Sequence, residues 1–159
     1  MMKKGFRILS NVGNDRHCIC ALDYDDVSYE NLTHNLLFLQ EFFDLDSFHI
    51  FETKKDHYSC VCFSVLTANM LTKLLKLANV DKKQKAAFSK LRCIGFRLSK
   101  KHKRFLPQLI DTLERTSSTR KQADTHILIF TGLYPLMTMT ELIEGNFNDV
   151  TFEEYKLKR

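Results

Sequence analysis

Apolar and polar residues alternate along several short stretches of the chain, and along others the apolar residues recur every three to four positions. Strict alternation is typical of a half-buried strand, and the longer period is typical of an amphipathic helix. The stretch "HCICALDYD" alternates and predicts a strand over residues 17–25. A helical stripe follows, with Ser28 suited to cap its first turn. Its apolar positions are Leu32, Leu36, Leu39 and Phe43.

The same patterns continue to residue 101. Strands at 47–55 and 57–65 flank the turn "KKD" and predict a hairpin. The remaining elements are a helix at 67–79 capped by Thr67, a basic helix or turn at 81–91 and a strand at 93–101. The order βαββαβ predicts an α+β fold of the ferredoxin-like or RRM-like kind, in which helices cover one face of an antiparallel sheet.

The end of the chain gives weaker patterns. Residues 104–114 predict a further strand or edge extension, and residues 117–134 predict a helix ended by Pro135. The tail beyond predicts one short helix and a polar end. The predicted organisation is therefore an N-terminal arm (1–16), an RRM-like core (17–114) and a C-terminal helical extension (115–159).

Alternation also assigns side chains to the two faces of the predicted sheet. We assume that the faces carrying Cys18, Cys20, Cys60 and Cys62 pack on the helices. The opposite face then receives a set of polar residues from the first, third and fourth strands: Asp23, Asp25, His57, Ser59, Arg97 and Ser99. In a βαββαβ sheet the first and third strands are central neighbours. We therefore expect Asp23, Asp25 and His57 to lie close together on an open sheet face.

The acidic end of the first strand has two interpretations. Asp23, Asp25 and Asp26 lie within four positions, and like charges at this range repel each other. A divalent metal ion would relieve the repulsion. Alternatively, the acids belong to a solvated turn before the next helix, where the helix dipole favours acidic residues. The second interpretation suits Asp26 better than Asp23.

Charge and cysteine content narrow the class of protein. The chain has 159 residues, which predicts about one domain, and a net charge of +5. Lysine and arginine concentrate in "KKHKR" at 100–104, which favours contact with nucleic acid. Two C-x-C pairs could indicate a metal site, but they lie inside apolar strands, and buried reduced thiols are the favoured interpretation. Reduced thiols, the lack of a signal sequence and the lack of a membrane-spanning run predict an intracellular, cytoplasmic protein without membrane contact.

Four short motifs, in this order, resemble those of one enzyme family. They are "LDYD" at the end of the first core strand, "TKKDHYSCVCF" on the hairpin, the basic strand "GFRLSKK" and "QLIDTL". Together they resemble the catalytic core of archaeo-eukaryotic primases, and the resemblance covers residues 17–114. Family members have an RRM-like polymerising sheet with paired acids, a hairpin histidine and a later acid.

The resemblance implies a primase-type or polymerase-type nucleotidyltransferase in nucleic-acid replication, from a mobile element or minimal replication system. It implies two-metal phosphoryl transfer, with two Mg²⁺ or Mn²⁺ ions held by Asp23, Asp25 and possibly Asp111, which are also its catalytic residues. It assigns nucleoside triphosphate contacts to His57, Ser59, Arg97 and Lys100, and template or primer contacts to Lys101, Lys103 and Arg104. Other replication proteins are possible partners. Two alternatives remain open: a non-catalytic nucleic-acid-binding protein on the same fold, and an interaction subunit of a replication complex.

Overall fold

The computed structural model describes residues 4–14, 16–91, 95–97, 108–127 and 152–156. These residues form seven strands and four helices. In chain order the elements are β1 (Lys4–Leu9), β2 (His17–Asp25), α1 (Tyr29–Phe43), β3 (Phe48–Lys54), β4 (His57–Thr67), α2 (Ala68–Leu77), α3 (Lys82–Leu91), β5 (Gly95–Arg97), β6 (Gln108–Leu113), α4 (Asp124–Ile127) and β7 (Phe152–Lys156).

The two long helices begin where the sequence places their caps. The Ser28 hydroxyl accepts a hydrogen bond from the Asn31 N–H at the start of α1. The Thr67 hydroxyl does the same for Met70 at the start of α2. Each cap satisfies one of the N–H groups that a first helical turn leaves without a partner. Helix α1 ends at Asp44, whose left-handed backbone (φ 53°) turns the chain so that the Leu45 N–H also reaches the Gln40 carbonyl, at 3.0 Å.

The main sheet has four antiparallel strands in the order β2-β4-β3-β6. The first and third core strands, β2 and β4, are neighbours, as the sequence predicts. Cys20 lies opposite Cys62, and Tyr24 lies opposite Tyr58. The α+β class and the antiparallel sheet are therefore confirmed.

The position of the fourth predicted strand differs from the expectation. Strand β5 pairs with β1, which also pairs with β7, so these three strands form a second sheet. Within the described residues, β6 rather than β5 is the fourth strand of the main sheet. The reason lies at the outer edge of β2, where the Gln84 side chain bonds Ala21 and Asp23 and the Asp81 N–H donates to the Asp23 carbonyl. These contacts occupy the backbone groups that β5 would need.

The face of the sheet that carries the cysteines packs on the helices, as expected. The Tyr24 hydroxyl reaches across to Asn35 of α1 at 2.7 Å. The four cysteines of β2 and β4 are buried thiols. Burial raises the pKa of the Cys62 thiol to about 11 and that of the Cys20 thiol well above its ordinary value. These thiols are consequently poor nucleophiles at neutral pH.

The opposite face is less open than the alternation pattern predicts. Ala21 of β2, Phe51 of β3, and Val61 and Phe63 of β4 are all buried on this face. Its polar end, where β2 finishes and β4 begins, is partly exposed. The cause is that both faces of the central strands carry apolar residues, so both faces pack against other parts of the protein.

Residues 117–123 are not helical, contrary to the sequence prediction, and α4 begins only at Asp124. They instead wrap around the C-terminal end of α1. The Thr119 N–H and hydroxyl both donate to the Asp44 carboxylate, and the Arg120 Nε–H donates to the Phe43 carbonyl. These bonds satisfy groups left over at the helix end and compete with helix formation. Residues 152–156, predicted as a polar tail, form β7, and residues 128–151 lie outside the described parts.

Candidate functional site

The candidate site lies where β2 ends beside the beginning of β4. Asp23 is opposite Ser59, and Asp25 is opposite His57. The backbone N–H and C=O of Asp23 both point to the outer edge, toward α3. Asp23 and Ser59 are therefore a non-hydrogen-bonded pair, the class in which facing side chains approach most closely. The structure thus brings together four of the side chains that the alternation pattern assigns to one face.

Asp23 is held on both its backbone and its side chain. The Ser59 hydroxyl donates to Asp23 Oδ1 at 2.7 Å. The Asp23 N–H donates to Gln84 Oε1 at 2.8 Å, and the Gln84 amide donates to the Ala21 carbonyl at 3.1 Å. Gln84 thus bonds the free edge of β2 as a neighbouring strand would. A half-buried carboxylate fixed in this way is pre-organised to receive a cation or a hydrogen-bond donor.

His57 lies between two carboxylates. Its Nδ1 is 2.6 Å from Asp25 Oδ1, and its Nε2 is 3.2 Å from Asp26 Oδ1. Both ring nitrogens can donate together only in the doubly protonated, positively charged imidazole. The His57 side chain is only 18% exposed, whereas those of Asp25 and Asp26 are 50% and 89% exposed. The site therefore places a shielded imidazole next to two solvated carboxylates.

A backbone contact fixes this arrangement. The Val27 N–H donates to the Asp56 carbonyl at 3.1 Å, which ties the loop after β2 to the β3–β4 turn. Asp26 and Asp56 both have positive φ, at 55° and 60°. Aspartate tolerates this left-handed region better than most residues. The turn therefore brings His57 within reach of both Asp25 and Asp26.

Asp111 lies elsewhere in the sheet. It is on β6 opposite Ile50, and β4 and β3 separate β6 from β2. The register places Asp111 on the same face as Ile50 and Cys60, which is the helix-packed face and the one opposite to Asp23. There the Tyr29 hydroxyl donates a hydrogen bond to the Asp111 carboxylate. This bond raises the pKa of Tyr29 to about 12 and lowers the pKa of Asp111.

The predicted basic residues fall outside this site or outside the described residues. Arg97 lies on β5, opposite Arg7 of β1 in the second sheet, rather than on a strand beside β2. Lys100, Lys101, Lys103 and Arg104 are not among the described residues. The arrangement that the structure does describe is therefore Asp23, Asp25, Asp26, His57 and Ser59.

These residues fit a single hard divalent ion better than two. Asp23 and Asp25 are alternate residues of one strand, so their Cα atoms are roughly 6.5 Å apart. Mg²⁺ is often bound by one or two carboxylates, with substrate phosphates and water completing its coordination. The described parts of the chain contain no group of three His, Cys, Asp or Glu side chains arranged to hold a metal ion. Asp111 cannot complete such a group from the other face of the sheet.

Two site residues are missing from the sequence prediction. Asp26 was best explained as the acidic flank of a helix, yet it contacts His57. Gln84 lies in α3, where the sequence shows mainly basic residues, yet its side chain bonds the backbone of Ala21 and Asp23 at the edge of β2. A signal for Gln84 does exist, because Val80, Gln84 and Phe88 recur every four residues and all three are buried. No local signal reports that Asp26 and His57 meet.

Comparison with protein-family models, with curated proteins and with solved structures finds no match for the chain. Among the described residues, no helix is both long enough and apolar enough to cross a membrane. The case for a function therefore depends on the geometry of the site.

Proposed function

We propose that the chain is a primase-type or polymerase-type nucleotidyltransferase that acts in nucleic-acid replication. The observation that supports this proposal is the meeting of Asp23, Asp25, His57 and Ser59 on one face of two neighbouring strands. Paired carboxylates beside a cationic side chain are suited to substrates that carry both a metal ion and phosphate groups. The resemblance of the sequence motifs to the primase core points to the same chemistry.

In this proposal Asp23 and Asp25 hold Mg²⁺ or Mn²⁺, which when bound lowers the barrier for attack of a 3′-hydroxyl on a nucleoside triphosphate. Ser59 and Gln84 keep Asp23 in place. Protonated His57 would contact a phosphate oxygen of the nucleotide. Asp111 is left out of the metal site because it lies on the other face.

The basic residues complete the proposal. Lys100 contacts the nucleotide phosphates, while Lys101, Lys103 and Arg104 contact the template or primer backbone. Arg97 is left out because it lies on β5 of the second sheet. Other replication proteins are the expected partners. The four buried thiols of β2 and β4 are compatible with a reducing compartment such as the cytoplasm.

The test is nucleotide incorporation on a primed template with Mg²⁺ or Mn²⁺. We expect Asp23→Asn and Asp25→Asn to lower the rate at least about a hundredfold, because each removes a charged ligand at the reacting phosphates. Asp124→Asn is the matched control, since Asp124 is exposed in α4 and should not affect the rate. The proposal is wrong if neither ion supports incorporation, or if both site variants react as fast as the control.

The ion pairs of His57 favour a second candidate function, a non-catalytic nucleic-acid-binding protein. Because His57 already contacts Asp25 and Asp26, the acids do not require a metal ion for charge balance. In this case the Asp23 and Asp25 variants keep their affinity for a single strand. That affinity falls steeply with salt, and neutralising Lys100 to Arg104 reduces it.

A further inference from the structure

A cleft of about 590 Å³ opens beside the N-terminal half of α1. Its volume lies within the range of ordinary small-molecule sites, roughly 300–1,000 Å³. Six side chains of its lining carry the argument: Asp26, Asn31, His34, Asn35, Phe38 and Asn79. Three of the six are asparagines and one is an aromatic ring.

Asn35 gives the cleft a fixed wall. Its Oδ1 accepts hydrogen bonds from the Tyr24 hydroxyl at 2.7 Å and from the Asn79 backbone N–H at 3.2 Å. Its Nδ2 donates to the Leu77 carbonyl at 3.4 Å. These contacts join β2, α1 and the loop after α2 and hold Asn79 at the rim. The site is therefore pre-organised, which lowers the entropic cost of binding a ligand.

The other two asparagines are available to a ligand. Asn31 and Asn79 are exposed, and within the described residues neither carboxamide has a hydrogen-bond partner. A carboxamide presents a donor and an acceptor side by side, which matches the N6 amine and N7 of adenine. Phe38 is 47% exposed, and Phe42 packs on it with the ring centroids 5.5 Å apart. Its remaining surface at the cleft is suited to stack on a flat ring.

The charge of the lining argues against a phosphate in the same place. Among the described residues that line the cleft there is no lysine or arginine, and Asp26 adds a negative charge. A neutral, flat, hydrogen-bonding group fits better than an anion. We propose that the cleft binds an adenine base, supplied either by a free nucleotide or by a nucleotide of a single strand.

The cleft also adjoins the candidate site. Asp26 lines the cleft, and its carboxylate is 3.2 Å from His57 Nε2. A nucleotide whose base lies in the cleft could therefore extend its sugar and phosphates past Asp26 toward His57. The biological role of this adenine site rests on the proposed nucleotidyltransferase function, but binding of the base itself requires no metal ion and no reaction.

The experiment is titration of the full chain with adenosine, which has no phosphate, followed by nuclear magnetic resonance or calorimetry without metal. We expect Phe38→Leu to weaken binding about fivefold or more through lost stacking. Asn31→Ala and Asn79→Ala should each weaken it about fivefold or more through lost hydrogen bonds. Leu37→Ala is the control: Leu37 is 52% exposed on the same helix and does not line the cleft, so this variant should bind like the unmodified chain.

An oligodeoxyadenylate arm identifies the source of the base. If the oligomer competes with adenosine and binds more tightly than adenosine does, the natural ligand is a single strand. If a free adenine nucleotide binds more tightly than the oligomer, the natural ligand is a nucleotide substrate. No adenosine binding at millimolar concentration, or equal binding by Phe38→Leu and Leu37→Ala, overturns the inference. Asp23→Asn should not change adenosine binding. A chain that binds adenosine but incorporates no nucleotide refutes the proposed function and leaves the adenine site standing.

Discussion

The contact between Gln84 and the edge of β2 should contribute strongly to the free energy of unfolding. Gln84 is only 7% exposed, and its amide joins the buried Ala21 carbonyl to the Asp23 N–H. In Gln84→Ala both backbone groups lose their partner. A buried backbone group without a partner costs about 1–3 kcal/mol. Asp23 is half-buried and can recover water, so we expect a total loss of about 2–4 kcal/mol, a large share of the stability of a small domain.

Urea unfolding, followed by circular dichroism, measures this loss as a shift of the midpoint at constant slope. Gln84→Met keeps most of the side-chain volume and removes both hydrogen bonds, so it should lose nearly as much stability as Gln84→Ala. Gln108→Ala is the control, since Gln108 is exposed on β6 and its loss should stay within about 0.5 kcal/mol. A loss below about 1 kcal/mol in both Gln84 variants would refute the view that this side chain closes the edge of β2.

Two further predictions concern titration and reactivity. Because its hydroxyl donates to Asp111, Tyr29 should titrate near pH 12, above the ordinary tyrosine pKa of 10.0. The stability that this bond contributes to the fold is therefore fully present below pH 10 and is lost as the pH rises through 12. Tyrosinate absorbance should show this late titration moving to lower pH in Asp111→Asn, and an unchanged curve contradicts the assigned bond. In a Cys93→Ser background, the four buried thiols should resist an aromatic disulfide reagent at pH 8 and react quickly in urea. Rapid reaction of the folded protein contradicts their burial.

The helices and strands of the core were predictable because the residues that start them and set their faces are close together in the sequence. Ser28 and Thr67 accept hydrogen bonds from residues three positions along, so each cap is encoded within one turn of chain. The alternation in β2 and β4 reports which residues share a face. That is sufficient to bring Asp23 to Ser59 and Asp25 to His57 once the two strands are neighbours.

The strand order and the role of Asp111 depend on contacts between distant segments. No local pattern shows that Gln84 takes the edge of β2 and leaves β5 to pair with β1. The face of Asp111 depends on the register of β6 against β3, which shifts between Ile50 and Phe51. An irregularity of one residue reverses the face of every residue beyond it. The motif "QLIDTL" therefore could not show which side its aspartate occupies.

The second sheet has a consequence for how the protein forms during synthesis. Lys4 of β1 pairs with Lys156 of β7, so the first described strand has its partner in the last described strand. Pairings that span so much sequence close slowly, because the intervening chain must first be brought to order. The four-stranded sheet and the pairing of β1 with β5 can form co-translationally, while the edge of β1 that pairs with β7 stays without its partner strand. Chaperone engagement should consequently concentrate on the nascent N-terminal segment until residue 156 has emerged.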